Sequence, residues 1–135
     1  MVELLTVLAI IGIVAAVGVP GAARAHTAIS GAQGARRLAL VLRAAQARAQ
    51  SSSARVLVEV DPQGDYQVSG QAGSILMRGS IGAAVSTTYP GGALEFSPRG
   101  WAGLPGAASP RAGHFSIAGS SRTVIIQLSG CVRCA

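Results

Sequence analysis

Lysine is missing from this chain and carboxylates are scarce. All eleven basic residues are arginine, set against five acids, for a formal net charge of +6 over 135 residues. A uniform arginine bias is what codon usage alone produces, so it does not by itself point to phosphate recognition. The few acids exclude an obvious general acid/base pair. The only two histidines, His26 and His114, have no motif around them that would mark a nucleophile–base couple. Gly91-Gly92 and the other glycines have neither Walker nor dinucleotide spacing, which excludes a phosphate-cradling loop of that type. No enzyme and no cofactor is therefore expected. Aromatics are equally sparse: one Trp, two Tyr and two Phe. The core must be small and aliphatic, and no aromatic platform for stacking bases is evident around Trp101. No internal repeat is visible, and the length predicts a single domain.

What is abundant is apolar aliphatic surface at the start, MVELLTVLAIIGIVAAVGVPG. Val2 to Val19 is eighteen residues with one charge, at the threshold for a membrane span. Nineteen helical residues cover roughly 28 Å, close to the hydrocarbon thickness. A helix this apolar on every side must lie in lipid or in a large core, and a chain of this length cannot build that core. The rival is a cleaved secretory signal ending near Ala23-Arg24-Ala25. Against it stand the acid Glu3 in place of a basic n-region, Arg24 close to the site, and a run longer than a signal core. Pro20, with Gly12, Gly18 and Gly21 around it, predicts a kink or unwound stretch over 18–21. Glu3 has two readings. It reaches water at the helix end, or it stays in the membrane and pairs, because a central buried acid costs about 2.5–3.5 kcal/mol.

Beyond the kink, Ile29, Leu38, Val41, Leu42, Ala45 and Ala49 fall on one helical face, opposite Arg36, Leu40 and Arg43. Gly31 and Gly34 weaken the helix locally and predict a bend there. Gln50-Ser51-Ser52-Ser53 reads as its end. The period then changes to two: Val56, Val58 and Val60 lead into the turn Asp61-Pro62-Gln63-Gly64-Asp65 and a return strand over Tyr66–Ser69. Further strands are expected over Ser74–Met77, Ala83–Thr88, Ala93–Ser97, His114–Ala118 and Arg122–Leu128. Gly100–Gly113 reads as a long loop. The expected organisation is an apolar helix over 1–21, its amphipathic continuation over 22–53 and a β-rich part over 54–135. The fold class is α+β: a long N-terminal helix, membrane-spanning in its first half and kinked near Pro20, packed on a small antiparallel sheet.

Cys131 and Cys134 form a C-x-x-C near the end. A local disulfide, free or intermolecular thiols, and a metal site are all open. One pair with two distant histidines is weak for zinc, and no metal is expected. Three-residue spacing in a straight strand turns the two side chains to opposite faces, so a bridge needs a turn at Val132-Arg133.

The residues also carry a resemblance. Val2-Glu3-Leu4-Leu5, the run Val7–Ile13 and Pro20 resemble the class III signal helix of type IV pilins and pseudopilins, over about 20 residues. Phe96-Ser97-Pro98-Arg99-Gly100 is similar to the F-x-P-x-G strand-turn of GspH/FimT-like minor pilins. Arg122–Ile126 leading to Gly130-Cys131-Val132-Arg133 is similar to their closing strand, which often ends Gly-Arg-x-Arg. Residues 62–92 match nothing in particular. The family's leader, its glycine and the following phenylalanine are missing before Met1, so the resemblance implies a biological start further upstream, where a prepilin peptidase would act.

The resemblance implies a minor pseudopilin similar to the H component of type II secretion. Such a protein is anchored in the inner membrane by a single pass, with its C-terminal part in the periplasm. It partners other pseudopilins in a filament that drives protein export. Glu3 would pair with the amino terminus of a neighbouring subunit, and Pro20 would be the helix-kinking proline. The alternatives are a FimT-like minor type IV pilin in pilus priming or DNA uptake, and a secreted binding domain with a cleaved signal. DNA contact would fall on Arg133, with Arg122 and Arg111 joining it. The first arginine of the family motif is Cys131 here, which argues against strong DNA binding, since phosphate binding needs several such contacts.

Overall fold

The structure, a computed structural model, describes residues 2–135; Met1 and the side chains of residues 17–23 lie outside the described residues. One helix, α1 (Val2–Ser52), accounts for the first third of the chain. The kink expected over 18–21, with Pro20, falls on the stretch outside the described residues. From residue 35 to residue 49 the helix is rich in Ala, Leu and Arg, all strong helix formers. Ala35, Leu38, Ala39, Leu42, Ala45 and Ala49 recur every three or four residues and are buried. They form the apolar stripe that holds α1 to the rest of the molecule. Val41 is buried with them, and Arg36, Leu40 and Arg43 face outward as the periodicity predicts.

Ile29 departs from the expected stripe, at 58% exposed. The domain already reaches the helix backbone on either side of it, since a Cβ on Gly119 would lie 2.8 Å from the Thr27 carbonyl oxygen, so Ile29 is exposed because it points away from that contact. A Cβ on Gly31 would lie 2.6 Å from the Gly119 carbonyl carbon, and one on Gly34 would lie 2.9 Å from Ile81 Cγ2. Both glycines therefore let other parts of the chain approach the helix backbone closely, and α1 runs through them unbroken. The helix ends where two serine hydroxyls compete for its carbonyls. Ser51 and Ser52 Oγ both donate to the Arg48 carbonyl, at 3.1 and 2.7 Å, and Ser53 takes φ +50°.

Nine strands follow: β1 (Val56–Val60), β2 (Asp65–Ser69), β3 (Ile75–Ser80), β4 (Val85–Thr87), β5 (Ala93–Phe96), β6 (Ala102–Gly103), β7 (Gly113–Ile117), β8 (Thr123–Ile126) and β9 (Val132–Cys134). The β1–β2 turn carries the expected chemistry. Asp61 Oδ1 accepts from Gln63 N at 3.1 Å, and Gly64 N donates to the Asp61 carbonyl at 2.8 Å. Tyr66 crosses to Gly79 on β3, where its ring covers the position a side chain would take.

The small sheet expected from the sequence is two antiparallel sheets. One runs β3-β2-β1-β5-β6 and the other β4-β7-β8-β9. The division falls after β3. Ile81 N donates to the Gly64 carbonyl and Val85 N to the Pro62 carbonyl, which turns the chain away from the β2 edge and delivers β4 to β7. Two local corrections follow. The Gly100–Gly113 loop contains β6, paired to β5 through Phe96↔Ala102. The strand expected over Arg122–Leu128 stops at Ile126 and turns through Gln127–Gly130, and β9 returns beside it. A single core joins both sheets and the helix, with Phe96, Phe115, Leu38, Leu42 and Leu94 its largest fully buried side chains.

Candidate assembly surfaces

The N-terminal part of α1 carries apolar side chains that pack on nothing in the chain. Val2, Leu4, Leu5, Val7, Leu8, Ile10, Ile11, Ile13 and Val14 are each more than half exposed. Thr6, the one hydroxyl in this stretch, returns its Oγ1 to the Glu3 carbonyl at 2.8 Å, so it leaves no stray donor on the surface. Glu3 lies in the first turn, where a carboxylate complements the helix dipole, and is itself exposed. Glu3, Val7 and Ile11 share one side of the helix. Among the described residues, no helix is long and apolar enough to cross a membrane. The described part of the apolar run ends at residue 16, and the span expected over 1–21 extends beyond it.

The two short motifs singled out near the C-terminal end meet in space. Phe96 fills the core, and the turn behind it closes through Gly100 N donating to the Ser97 carbonyl at 2.9 Å. The Gly100 carbonyl accepts from Gln46 Nε2 of α1 at 2.7 Å. Gly130, at φ +82°, lies so close that any Cβ on it would collide with the same carbonyl. The strand-turn, the closing hairpin and the helix are thus locked at one point. Gln46 was not singled out from the sequence, although an amide between buried Ala45 and Ala49 was the available signal. Arg43 likewise reaches across, its Nη2 donating to the Val132 carbonyl at 3.0 Å.

Cys131 and Cys134 are free thiols. The required turn at Val132-Arg133 is replaced by β9, so the two point to opposite faces. Cys134 pairs with Val124 and approaches the Ala35 carbonyl, with Sγ at 3.6 Å, whereas Cys131 is opposite Gln127. Among the described residues, no group of three or more His, Cys, Asp or Glu could hold a metal ion. His26 and His114 are exposed on different elements.

The three arginines considered for DNA are all exposed but do not gather. In the β7–β8 ladder Gly113 pairs with Ile126 and Ser116 with Thr123, so Arg111 and Arg122 flank opposite ends of it. Arg133 stands between those ends, opposite Ile125 on β9. The Arg111 backbone is fixed by Tyr89, whose Oη donates to its carbonyl at 3.0 Å. Tyr89 stacks on Phe115 at 5.6 Å between ring centroids and is 2% exposed. Burial pushes its phenol up to about 12, opposed in part by the Arg111 charge.

Two crystal forms of the type IV minor pilin FimU from Pseudomonas aeruginosa strain PAO1 have the same fold. One matches with a TM-score of 0.62 at 17% identity, covering 76% of this chain and 90% of that one. The other matches with a TM-score of 0.64 at 17% identity, covering 78% and 87%. At that identity the likeness shows the fold alone. No curated protein sequence matches the chain. The profile of the family described as type II transport protein GspH matches residues 34–130, which includes the helix stripe, both sheets as far as β8 and the Gly100–Gly130 junction. With more than half of its length so matched, the chain belongs to the GspH family of type IV pilin-like proteins.

Proposed function

We propose that the chain is a minor pseudopilin of a type II secretion system. It is stored in the inner membrane through residues 1–21 and assembles into a short periplasmic filament that drives export. Residues 22–53 continue the helix into the domain, and residues 54–135 present surfaces to other subunits. The supporting observation is the contrast along α1: every described side chain from residue 2 to residue 16 is exposed, while beyond Gly34 the helix is stapled to the core. Surface of this apolar character is stable only when covered by lipid tails or by neighbouring helices. No catalytic step is involved; the work is association. Glu3 pairs with the amino terminus of the next subunit, offsetting the penalty of an acid in an apolar setting.

The test is Glu3→Ala in the full chain. The variant is expected to insert into membranes like the parent but to be absent from the sheared filament fraction. Normal incorporation would sink the pairing. A minor type IV pilin is the second reading, favoured by the fold shared with FimU. The filament with which the protein co-purifies separates the two.

A further inference from the structure

Each sheet ends in strands with no strand on their outer side, and natural proteins keep such edges short, charged or covered. Three of the four end strands here obey that rule. β6 spans two residues, β4 and β9 three each, and β9 is tied to the helix through Arg43. β3 does not obey it. It has six residues, all exposed or half-exposed, with no proline and with Arg78 as its one charge. Ile75, Leu76 and Met77 stand in succession at 58%, 41% and 40% exposed. Among the described residues, the one side-chain hydrogen bond to a β3 backbone group is at the strand's end, where Arg37 Nη1 donates to the Ser80 carbonyl at 3.0 Å.

The two faces beside this edge differ in chemistry. Val68, which pairs with Met77, is buried, so that face turns towards the helix. There Ala44, Ala45 and Arg48 of α1, with Leu76 and Met77, line a hollow of about 280 Å³. On the opposite face Glu59, Gln67 and Arg78 fall in one cross-strand row. They line a second hollow, of about 540 Å³, with Asp61 and Asp65, so its three carboxylates outnumber its one guanidinium. None of the three makes an ion pair among the described residues. Ser80, paired with Asp65, leaves only a hydroxymethyl group between that carboxylate and the edge.

We propose that β3 accepts an extended segment of a different subunit as a sixth strand of the first sheet. The segment is apolar on the face turned to α1 and carries a basic side chain on the other face, opposite Ser80 and within reach of Asp65. The proposal rests on the filament reading above and adds a contact to it. In strand addition the backbone hydrogen bonds supply affinity and the alternate side chains supply selectivity. A second copy of this chain does not meet both requirements. An antiparallel pair that sets Arg78 opposite Ser80 is centred on Gly79 and leaves Ile75, Leu76 and Met77 with no strand opposite. A parallel pair in register sets Arg78 beside Arg78, which is repulsive. The contact is therefore between unlike chains, as a minor subunit requires.

The experiment measures binding of two labelled synthetic peptides to the full chain in detergent micelles by fluorescence anisotropy. One is Thr-Val-Thr-Val-Lys-Val-Thr, with valine on one face and lysine on the other, and its control has Glu in place of Lys. The lysine peptide should bind about fivefold more tightly at about 50 mM salt, and the difference should shrink at about 500 mM. E59Q/D65Q should bind both peptides equally. I75T/M77T should bind both about tenfold more weakly, through lost apolar contact. Unchanged melting temperatures will show that both variants fold. Methylating the backbone nitrogens of the lysine peptide should abolish binding, because a strand needs its N–H groups. No binding of either peptide, binding that survives N-methylation, or a charge preference that is absent in the parent or unchanged in E59Q/D65Q overturns the proposal. So does self-association of the parent that I75T/M77T abolishes and neither peptide competes, which would assign the edge to a second copy. Glu3→Ala leaves this edge in place and should bind both peptides like the parent, so failure of the filament reading and failure of the edge are distinguishable.

Discussion

At the scale of single residues, close backbone contact sets the sharpest constraints. Gly130 and Gly82 have nearly the same dihedral, φ +82° and +80°, but Gly82 faces open space while Gly130 abuts the Gly100 carbonyl. Gly82→Ala should cost about 1 kcal/mol, the conformational penalty alone. Gly130→Ala adds a collision and should cost about 3 kcal/mol or more, read from denaturant melts of the two variants. Tyr89 governs the alkaline limit. Its folded-state value near 12 lies above the ordinary phenol value of 10.0, so the folded chain holds the proton more tightly than the unfolded chain. That stability is complete below about pH 10 and is lost as pH rises towards 12. Tyr89→Phe should flatten this part of the melting-temperature profile, at a cost of about 1 kcal/mol at neutral pH for the bond to Arg111.

At the scale of elements, the helix is held by one face. Leu42 is fully buried and Leu40, two residues earlier, is 64% exposed. Leu42→Ala should cost about 2–5 kcal/mol and Leu40→Ala under about 0.5 kcal/mol, by chemical denaturation. This difference was legible in the sequence, because helical spacing is a local property. The serine-rich helix end and the Asp61–Asp65 turn were legible for the same reason. The division into two sheets was not, since β4 reaches β7 rather than β3 and nothing in the valine and threonine pattern encodes partners so far apart in sequence. β9 was missed because three residues beyond a Gly-containing turn are too few for an alternating pattern to show. Ile29 was misplaced because its spacing fits the stripe, while the approach of the Gly119 backbone to Thr27 and Gly31, which leaves Ile29 uncovered, is a tertiary fact. Of the site, the place of Glu3 in the first turn beside the apolar run was legible, because it is set by the sequence alone. The scatter of Arg111, Arg122 and Arg133 and the role of Gln46 depended on strand pairing.

At the scale of the whole molecule, the helix has two unlike halves. Because the described side chains up to residue 16 are exposed, removing residues 1–16 should shift the domain's melting temperature by less than about 2 °C in calorimetry. The opposite end of the chain is far less dispensable. Arg43 bonds Val132 across 89 positions, and Ala35 meets Cys134 across 99. The helix, among the first parts synthesised, cannot cover its apolar stripe fully until one of the last strands arrives. Folding must therefore wait for the chain to be nearly complete, and the long loop this closes makes the step slow. A subunit threaded across a membrane would cross it unfolded and gain its shape only on the far side, with β9 as the latch.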